Sequence, residues 1–417
     1  MVEPNVFNGV TKSKIFKNRD LLDPSEKVSR DKIVGRETQI EELTYQMKQL
    51  VEGSSAKNFM VTGDTGVGKS MITKLVLEDF EKKVSQNMDK DIEVIYTENN
   101  ENERSVLLEI SEKLELDFRG RSSLETYYNL MEEKIVAEGL NVILVVDEIN
   151  MLFQESKNKD HGNSLLKQLL DTRKNIKEHE KGYLQIIGIT NDGSVLEKLD
   201  PKVKSRSFSK EINFPSYNSM ELKNILEKRV DDAFVGDPLE EGVLKRIAAE
   251  VAQKEGDART ALEILDEAAE IVDKDNEVEK ITQEHVLEAD YNLEQGRIED
   301  KVNSLSKHQK ILFLAALILH KKKPITGELF NKYDDLCDGM DINELTQRRV
   351  VSLIKKLDNL GLVTTSRKKS VRGNTREIKI SFDEEMSENL MRKIEESLSM
   401  EGEYDVLAAK QRKVGGQ

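Results

Sequence analysis

The chain has one cysteine, Cys337, among 417 residues. That excludes a disulfide framework and a cysteine-built zinc site, and it suits a reducing compartment. Long hydrophobic runs are also missing. The longest purely apolar stretch, Ile311 to Leu319, covers nine residues, whereas a membrane-spanning helix needs roughly 20. It reads as a buried helix, and no membrane partner is expected. Residues Met1 to Asn5 hold no basic segment running into an apolar one, so secretion is not expected either. Positive charge is in deficit: 64 Lys and Arg stand against 79 Asp and Glu, for a net charge of −15. Such a chain does not coat nucleic acid with its whole surface, and a contact of that kind must come from a local basic patch.

What is present is a charge-rich, helix-rich composition, with 37% hydrophobic and 34% charged residues and a mean hydropathy of −0.57. The length leaves room for about three domains. The stretch Asn58 to Ser70 organises the rest, because Gly63, Gly68, Lys69 and Ser70 fit the spacing G-x-x-x-x-G-K-S/T. Met60 and Val61 enter it as a strand, and the residues from Met71 leave it with helical periodicity, the context that the phosphate-binding loop requires. Glycines let backbone N–H groups crowd a polyphosphate while the following helix offers its positive end. Gly63, Asp64, Thr65, Gly66, Val67, Gly68 and Met71 then form the cradle, Lys69 reaches the β- and γ-phosphates, and Ser70 ligates Mg²⁺.

A β-branched run, Asn141 to Val146, ends at Asp147 and Glu148. Its continuous apolar character predicts a central parallel strand. The acidic pair at its end predicts a Mg²⁺ ligand in Asp147 and a water-orienting base in Glu148. Two further strands, Ile92 to Thr97 and Tyr183 to Thr190, and a short one from Lys210 to Phe214 complete an α/β domain over about 31–215. Asn191 follows the strand ending at Thr190, where an amide can sense the γ-phosphate, although Asn191-Asp192-Gly193 is also an ordinary turn sequence. Ile33 to Glu37 lead into a helix ending near Val51. Residues 1–30 read as an arm that docks apolar side chains onto the domain that follows it.

Residues 216–298 carry helical spacing throughout and read as a small helical lid. Arg259 sits at a helix start, where a basic residue works against the dipole and points to an anionic partner. From about 299 to 400, three helices precede two short strands around a basic Gly-Asn turn, the pattern of a winged helix. Between Arg367 and Lys379 there are six basic residues and one acid, so the positive patch that the net charge conceals lies in the wing. Arg348 and Arg349 on the third helix, with Arg367, Arg372, Gly373 and Arg376 in the wing, are the candidate duplex contacts. Residues 401–417 read as a polar tail.

In this order the motifs resemble the AAA+ ATPases and, among them, the archaeal ORC-type replication initiators. The resemblance rests on Ile15 to Leu22, Val34 to Glu37, the phosphate loop, Asp147-Glu148, Thr190-Asn191, Val203 to Arg206, Gly256 to Leu262 and Arg348-Arg349. It implies an AAA+ base, a lid and a C-terminal winged helix, binding ATP or ADP with Mg²⁺. It further implies that Ile33, Val34 and Arg36 wall the adenine, with Tyr217 beside the nucleotide, and that Asn191 and Arg259 sense the phosphates. Arg206 is similar to the finger that acts on a neighbour's ATP. A helix within an insertion over 154–181 matches the family's DNA-pressing element, making Lys167 and Arg173 candidates. The implied activity is slow, switch-like hydrolysis governing recognition of origin duplex DNA. The implied partners are the replicative helicase and paralogous initiators, for a cytoplasmic, nucleoid-associated chain that is monomeric until it assembles on DNA. A regulatory ATPase whose winged helix controls transcription or docks a protein, and a clamp-loader-like remodeller, fit the same motifs.

Overall fold

The computed structural model describes residues 13–26, 28–51, 56–87, 92–98, 101–116, 123–153, 160–275, 277–367 and 376–402. The chain divides into two units, Met1–Ala289 and Asp290–Gln417. The first begins with the arm and then runs α1 (Glu37–Val51), β1 (Phe59–Thr62), α2 (Lys69–Asn87), β2 (Ile92–Thr97), α3 (Glu103–Lys113), α4 (Leu124–Glu138), β3 (Asn141–Val146), α5 (His161–Glu178), β4 (Tyr183–Thr190), α6 (Val195–Lys198), α7 (Pro201–Ser207) and β5 (Lys210–Asn213). The lid follows as α8 (Ser219–Ala233), α9 (Val243–Lys254) and α10 (Ala258–Lys274), and α11 (Gln283–Asn303) leads into the second unit.

The five strands form one parallel sheet in the order β2-β3-β4-β1-β5. Alternation along β3 shows why its sequence is apolar without interruption. Val142, Leu144 and Val146 enter the core built with α3, α4 and α5, while Ile143 and Val145 enter the opposite core with α1 and α2. Register then determines what meets at the carboxyl ends. Thr62 lies opposite Thr190, and Val146 lies opposite both Gly188 and Thr97, so the residues that follow these strands emerge in one crevice.

Two expectations need correction. The arm docks on the lid rather than on the sheet domain: Lys17 and Asn18 donate backbone N–H groups to the Ala233 carbonyl, the Phe16 ring lies 5.6 Å from that of Phe234, and Arg19 pairs with Asp266 at 2.7 Å. Sequence spacing carries no sign of a partner so distant in the chain. Helix α5 is a core element, burying Leu165, Leu166, Leu169, Leu170 and Ile176. Arg173 on it is no free DNA contact. Its guanidinium donates to the Leu184 carbonyl at 2.9 Å and the Ala56 carbonyl at 2.6 Å and stacks on Tyr183. Removing it takes the donor from the buried Leu184 carbonyl, while the Ala56 carbonyl keeps the Tyr183 hydroxyl, so Arg173→Ala should cost about 1–3 kcal/mol in a denaturant titration and leave the salt dependence of DNA binding unchanged.

In the second unit α12 (Lys307–Leu319) is the central helix, with Ile311 through Leu317 buried. Around it pack α13 (Thr326–Gly339), α14 (Gln347–Asn359), the antiparallel pair β6 (Thr364–Arg367) and β7 (Arg376–Lys379), and α15 (Glu384–Gly402). Helix α14 buries Val350, Ile354 and Leu357, one face at helical spacing.

Candidate nucleotide-binding site

The segment after β1 turns with Gly66 and Gly68 at φ of +70° and +87°. A Cβ on Gly66 would stand 1.5 Å from Asp257 Oδ1, so the loop passes against the N-cap of the lid's last helix at a distance only glycine permits. Asp257 caps α10 by accepting from the Arg259 N–H at 2.7 Å, and the Ala258 N–H donates to the Gly66 carbonyl at 3.3 Å. Lid and loop are thus hydrogen-bonded neighbours. Burial raises the Asp257 pKa.

Lys69 is 8% exposed and donates from Nζ to the carbonyls of Gly63 and Asp64 at 2.8 and 2.6 Å. Burial is the main cause that pushes its pKa down, aided by the nearby Arg259 and against the pull of Asp147, Asp64 and Glu148. Asp147 is 7% exposed. Its Oδ2 accepts from the Tyr96 hydroxyl at 2.5 Å and its Oδ1 from the Glu148 N–H at 2.9 Å. Burial followed by the Asp147 charge raises the Tyr96 phenol pKa. Ser70 and Asp147 line one cleft, and a hydroxyl with a carboxylate oxygen is a donor set that Mg²⁺ accepts. Glu148 holds φ at +48°, a strained conformation for a residue with a side chain, and it is an exposed residue lining the same cleft. Asn191 donates from Nδ2 to Thr65 Oγ1 at 3.4 Å.

A cleft runs from this end, where Gly66, Gly68, Lys69, Ser70 and Arg259 line it, to an apolar end. There Ile33, Val34, Met71 and Tyr217 are joined by Pro24 and Val28 of the arm and by Ile225, Arg229 and Leu262 of the lid. A cationic loop with an apolar wall fits a nucleotide, with its phosphates at the end lined by Lys69 and Ser70. The side chains of Val67 and Asp64 face away, which a cradle of backbone N–H groups allows: Val67 is buried in the sheet core, and Asp64 accepts from Ser216 Oγ at 2.8 Å. Arg36 departs from expectation. It lies 1% exposed with its donors on the carbonyls of Val67, Gly35 and Pro215 at 3.0, 2.9 and 2.8 Å and stacks 3.7 Å over the Tyr217 ring. It holds the wall without lining the cleft. Tyr96, Arg229 and the arm residues Pro24 and Val28 carried no sequence motif, and Asp257 lay inside the Gly256 to Leu262 motif without a role of its own; the usable signal was Tyr96 standing one residue short of a strand end beside the acidic strand.

The other candidates lie elsewhere. Arg206 pairs with Asp171 at 3.1 Å and borders a surface cleft with Lys167, Lys202 and Asp200. In the second unit Arg348 and Arg349 are exposed at the start of α14, and Arg367 lies opposite Arg376 across the wing strands, with Arg376 donating to Thr365 Oγ1 at 3.1 Å. Arg372 and Gly373 fall outside the described residues.

A five-stranded parallel sheet with its phosphate loop after β1, a helical lid on that loop and a winged helix define an AAA+ ATPase. Family models agree: an AAA domain matches residues 51–190, a Cdc6 AAA+ ATPase-type lid domain 223–291, and a CDC6 C-terminal winged helix domain 300–389. The ORC1-type DNA replication protein 1 of Sulfurisphaera tokodaii is 35% identical over 387 residues, covering 91% of this chain and 94% of the relative. The ORC1-type DNA replication protein of Thermococcus onnurineus is 34% identical, covering 91% of each. A solved Aeropyrum pernix ORC1 protein in complex with DNA superposes with a TM-score of 0.78 at 28% identity, over 92% of this chain and 98% of that one. The chain belongs to the ORC1-type DNA replication proteins.

The tight seat of Gly66 on Asp257 gives a direct test. Gly66→Ala should separate lid from loop and weaken ATP binding at least tenfold in a fluorescent-nucleotide titration, with the far-ultraviolet circular dichroism unchanged.

Proposed function

We propose that the chain initiates DNA replication by binding origin duplex DNA under the control of bound ATP and recruiting the replicative helicase, with hydrolysis as a slow switch. The observation that carries this reading is the seam itself: Lys69, Ser70 and Asp147 on the sheet domain face Arg259 on a lid that touches the phosphate loop directly. In this reading Lys69 and the loop N–H groups bind the phosphates, and Ser70 and Asp147 hold Mg²⁺. Glu148 accepts the proton of the attacking water, and Asn191 orients that water. Arg259 ties the phosphate end to the lid, so its charge partner decides whether the lid stays seated. Arg206, exposed and outside the cleft, acts on the site of a neighbouring paralogue when the chains assemble on DNA, and turnover of the isolated chain is below about 1 s⁻¹.

Duplex recognition falls to the second unit. Arg348 and Arg349 open α14 on its exposed side, opposite the buried Val350, Ile354 and Leu357, with Lys355 and Lys356 further along. That helix enters the major groove while Arg367, Arg372 and Arg376 of the wing reach the backbone or minor groove, and Lys167 adds a contact from the first unit. Relatives described as ORC1-type DNA replication proteins, and an Aeropyrum pernix homologue solved with DNA, support the assignment. In the cell this is a cytoplasmic, nucleoid-associated protein, monomeric until it assembles on DNA.

Binding to intergenic repeats, measured by footprinting and by titration across salt concentrations, tests the reading. Arg348→Ala with Arg349→Ala should weaken protection and lower the salt slope by about one for each phosphate no longer neutralised. Absence of footprinted repeats, or an unchanged slope, contradicts it.

A further inference from the structure

The apolar end of the cleft contains two charged groups that the phosphate chemistry does not use, Lys32 and Arg229, and Lys32 is committed to Asp232. Arg229 on α8 is 5% exposed, and its Nη1 donates to the Leu21 carbonyl of the arm at 2.6 Å. Burial lowers its pKa, and the field of Glu26 counters that. A guanidinium carries five N–H donors, and burying it so deeply is costly unless they are used. None of its nitrogens is sealed from solvent without a hydrogen bond, so the donors not given to Leu21 keep some surface, and Arg229 is one of the residues that line the cleft. Its neighbours there, Pro24, Val28, Ile33, Val34, Ile225 and Leu262, are apolar. The nearby lysines are engaged elsewhere, Lys228 with the carbonyls of Asp31 and Ile33 and Lys32 with Asp232. The lid arginine whose charge reaches Lys69 is Arg259.

We infer that Arg229 reads the base: its remaining donors hydrogen-bond a ring-nitrogen acceptor of a purine seated between the arm and the lid. The inference rests on the nucleotide-binding reading and adds to it the group that senses base chemistry. Because the same guanidinium holds the arm through Leu21, a purine that completes its hydrogen bonds also fastens the arm over the cleft. A pyrimidine ring, smaller and with its acceptors placed differently, leaves those donors unmet.

Competition against a fluorescent nucleotide on the full chain, using ATP and its 1-deaza, 3-deaza and 7-deaza analogues, tests this. Each analogue replaces one ring-nitrogen acceptor by C–H at constant shape. One analogue is expected to bind the wild type about tenfold more weakly than ATP, the worth of a hydrogen bond to a charged donor. In Arg229→Met, which keeps the apolar stem, that same analogue should bind like ATP. The comparison is made within each variant, so any loosening of the arm cancels. Equal binding of ATP and all three analogues to the wild type overturns the base contact alone, as does Arg229→Met keeping the wild-type order of affinities. A wild type that binds no ATP overturns the contact together with the reading beneath it, and Lys69→Ala, which should bind neither ATP nor any analogue, sets that baseline.

Discussion

One buried guanidinium holds three parts of the first unit in register. Arg36 donates to the carbonyl of Gly35 in its own entry segment, to Val67 in the phosphate loop and to Pro215 where the sheet domain passes into the lid, with the Tyr217 ring against its face. These carbonyls stand outside the ladders and helices that would otherwise satisfy them, and a buried carbonyl without a partner costs about 1–3 kcal/mol. A lysine offers a point charge where this geometry needs a planar fork. The wall formed by Ile33 and Val34, the loop carrying Lys69 and the joint preceding α8 are therefore positioned relative to one another by a single side chain, and the cleft is what lies between them.

The lid is fixed on its other flank by the arm. Arg19 with Asp266 and Glu270, Ser13 with Asp273, and the backbone of Lys17 and Asn18 with Ala233 make the arm part of the lid's surface. Exposed ion pairs of this sort contribute little each, and the Phe16–Phe234 ring contact and the Arg229–Leu21 bond carry more. The lid itself meets the loop through small contacts, Ala258 to Gly66 and Asp257 beside it. In the proposed switch, this seam is the part that opens and closes.

Much of this was legible in the sequence wherever the signal was local. The strands of the sheet carry unbroken apolar runs because both faces are covered, the helices carry their periodicity, and Gly63 to Ser70 with Asp147 and Glu148 are short motifs whose chemistry depends on spacing alone. What stayed hidden depends on contacts between residues far apart in the chain. Arg36 follows a glycine and precedes a helix, and nothing nearby shows that it is buried beneath Tyr217. Arg173 sits in a helix with Lys167 and Lys174, reads as one more surface cation, and turns inward to the Leu184 carbonyl near the start of β4 and the Ala56 carbonyl ahead of β1. Tyr96 gains its place against Asp147 only from the register of β2 against β3.

Nucleotide bound at a three-way seam would make loop, lid and arm respond together. Amide hydrogen exchange with and without ATP and Mg²⁺ tests this. Slower exchange is expected at the phosphate loop, at the start of α10 near Ala258 to Thr260, and across arm residues 13–26, with all three effects abolished in Lys69→Ala. Protection confined to the phosphate loop, with the arm and α10 exchanging as before, would contradict it.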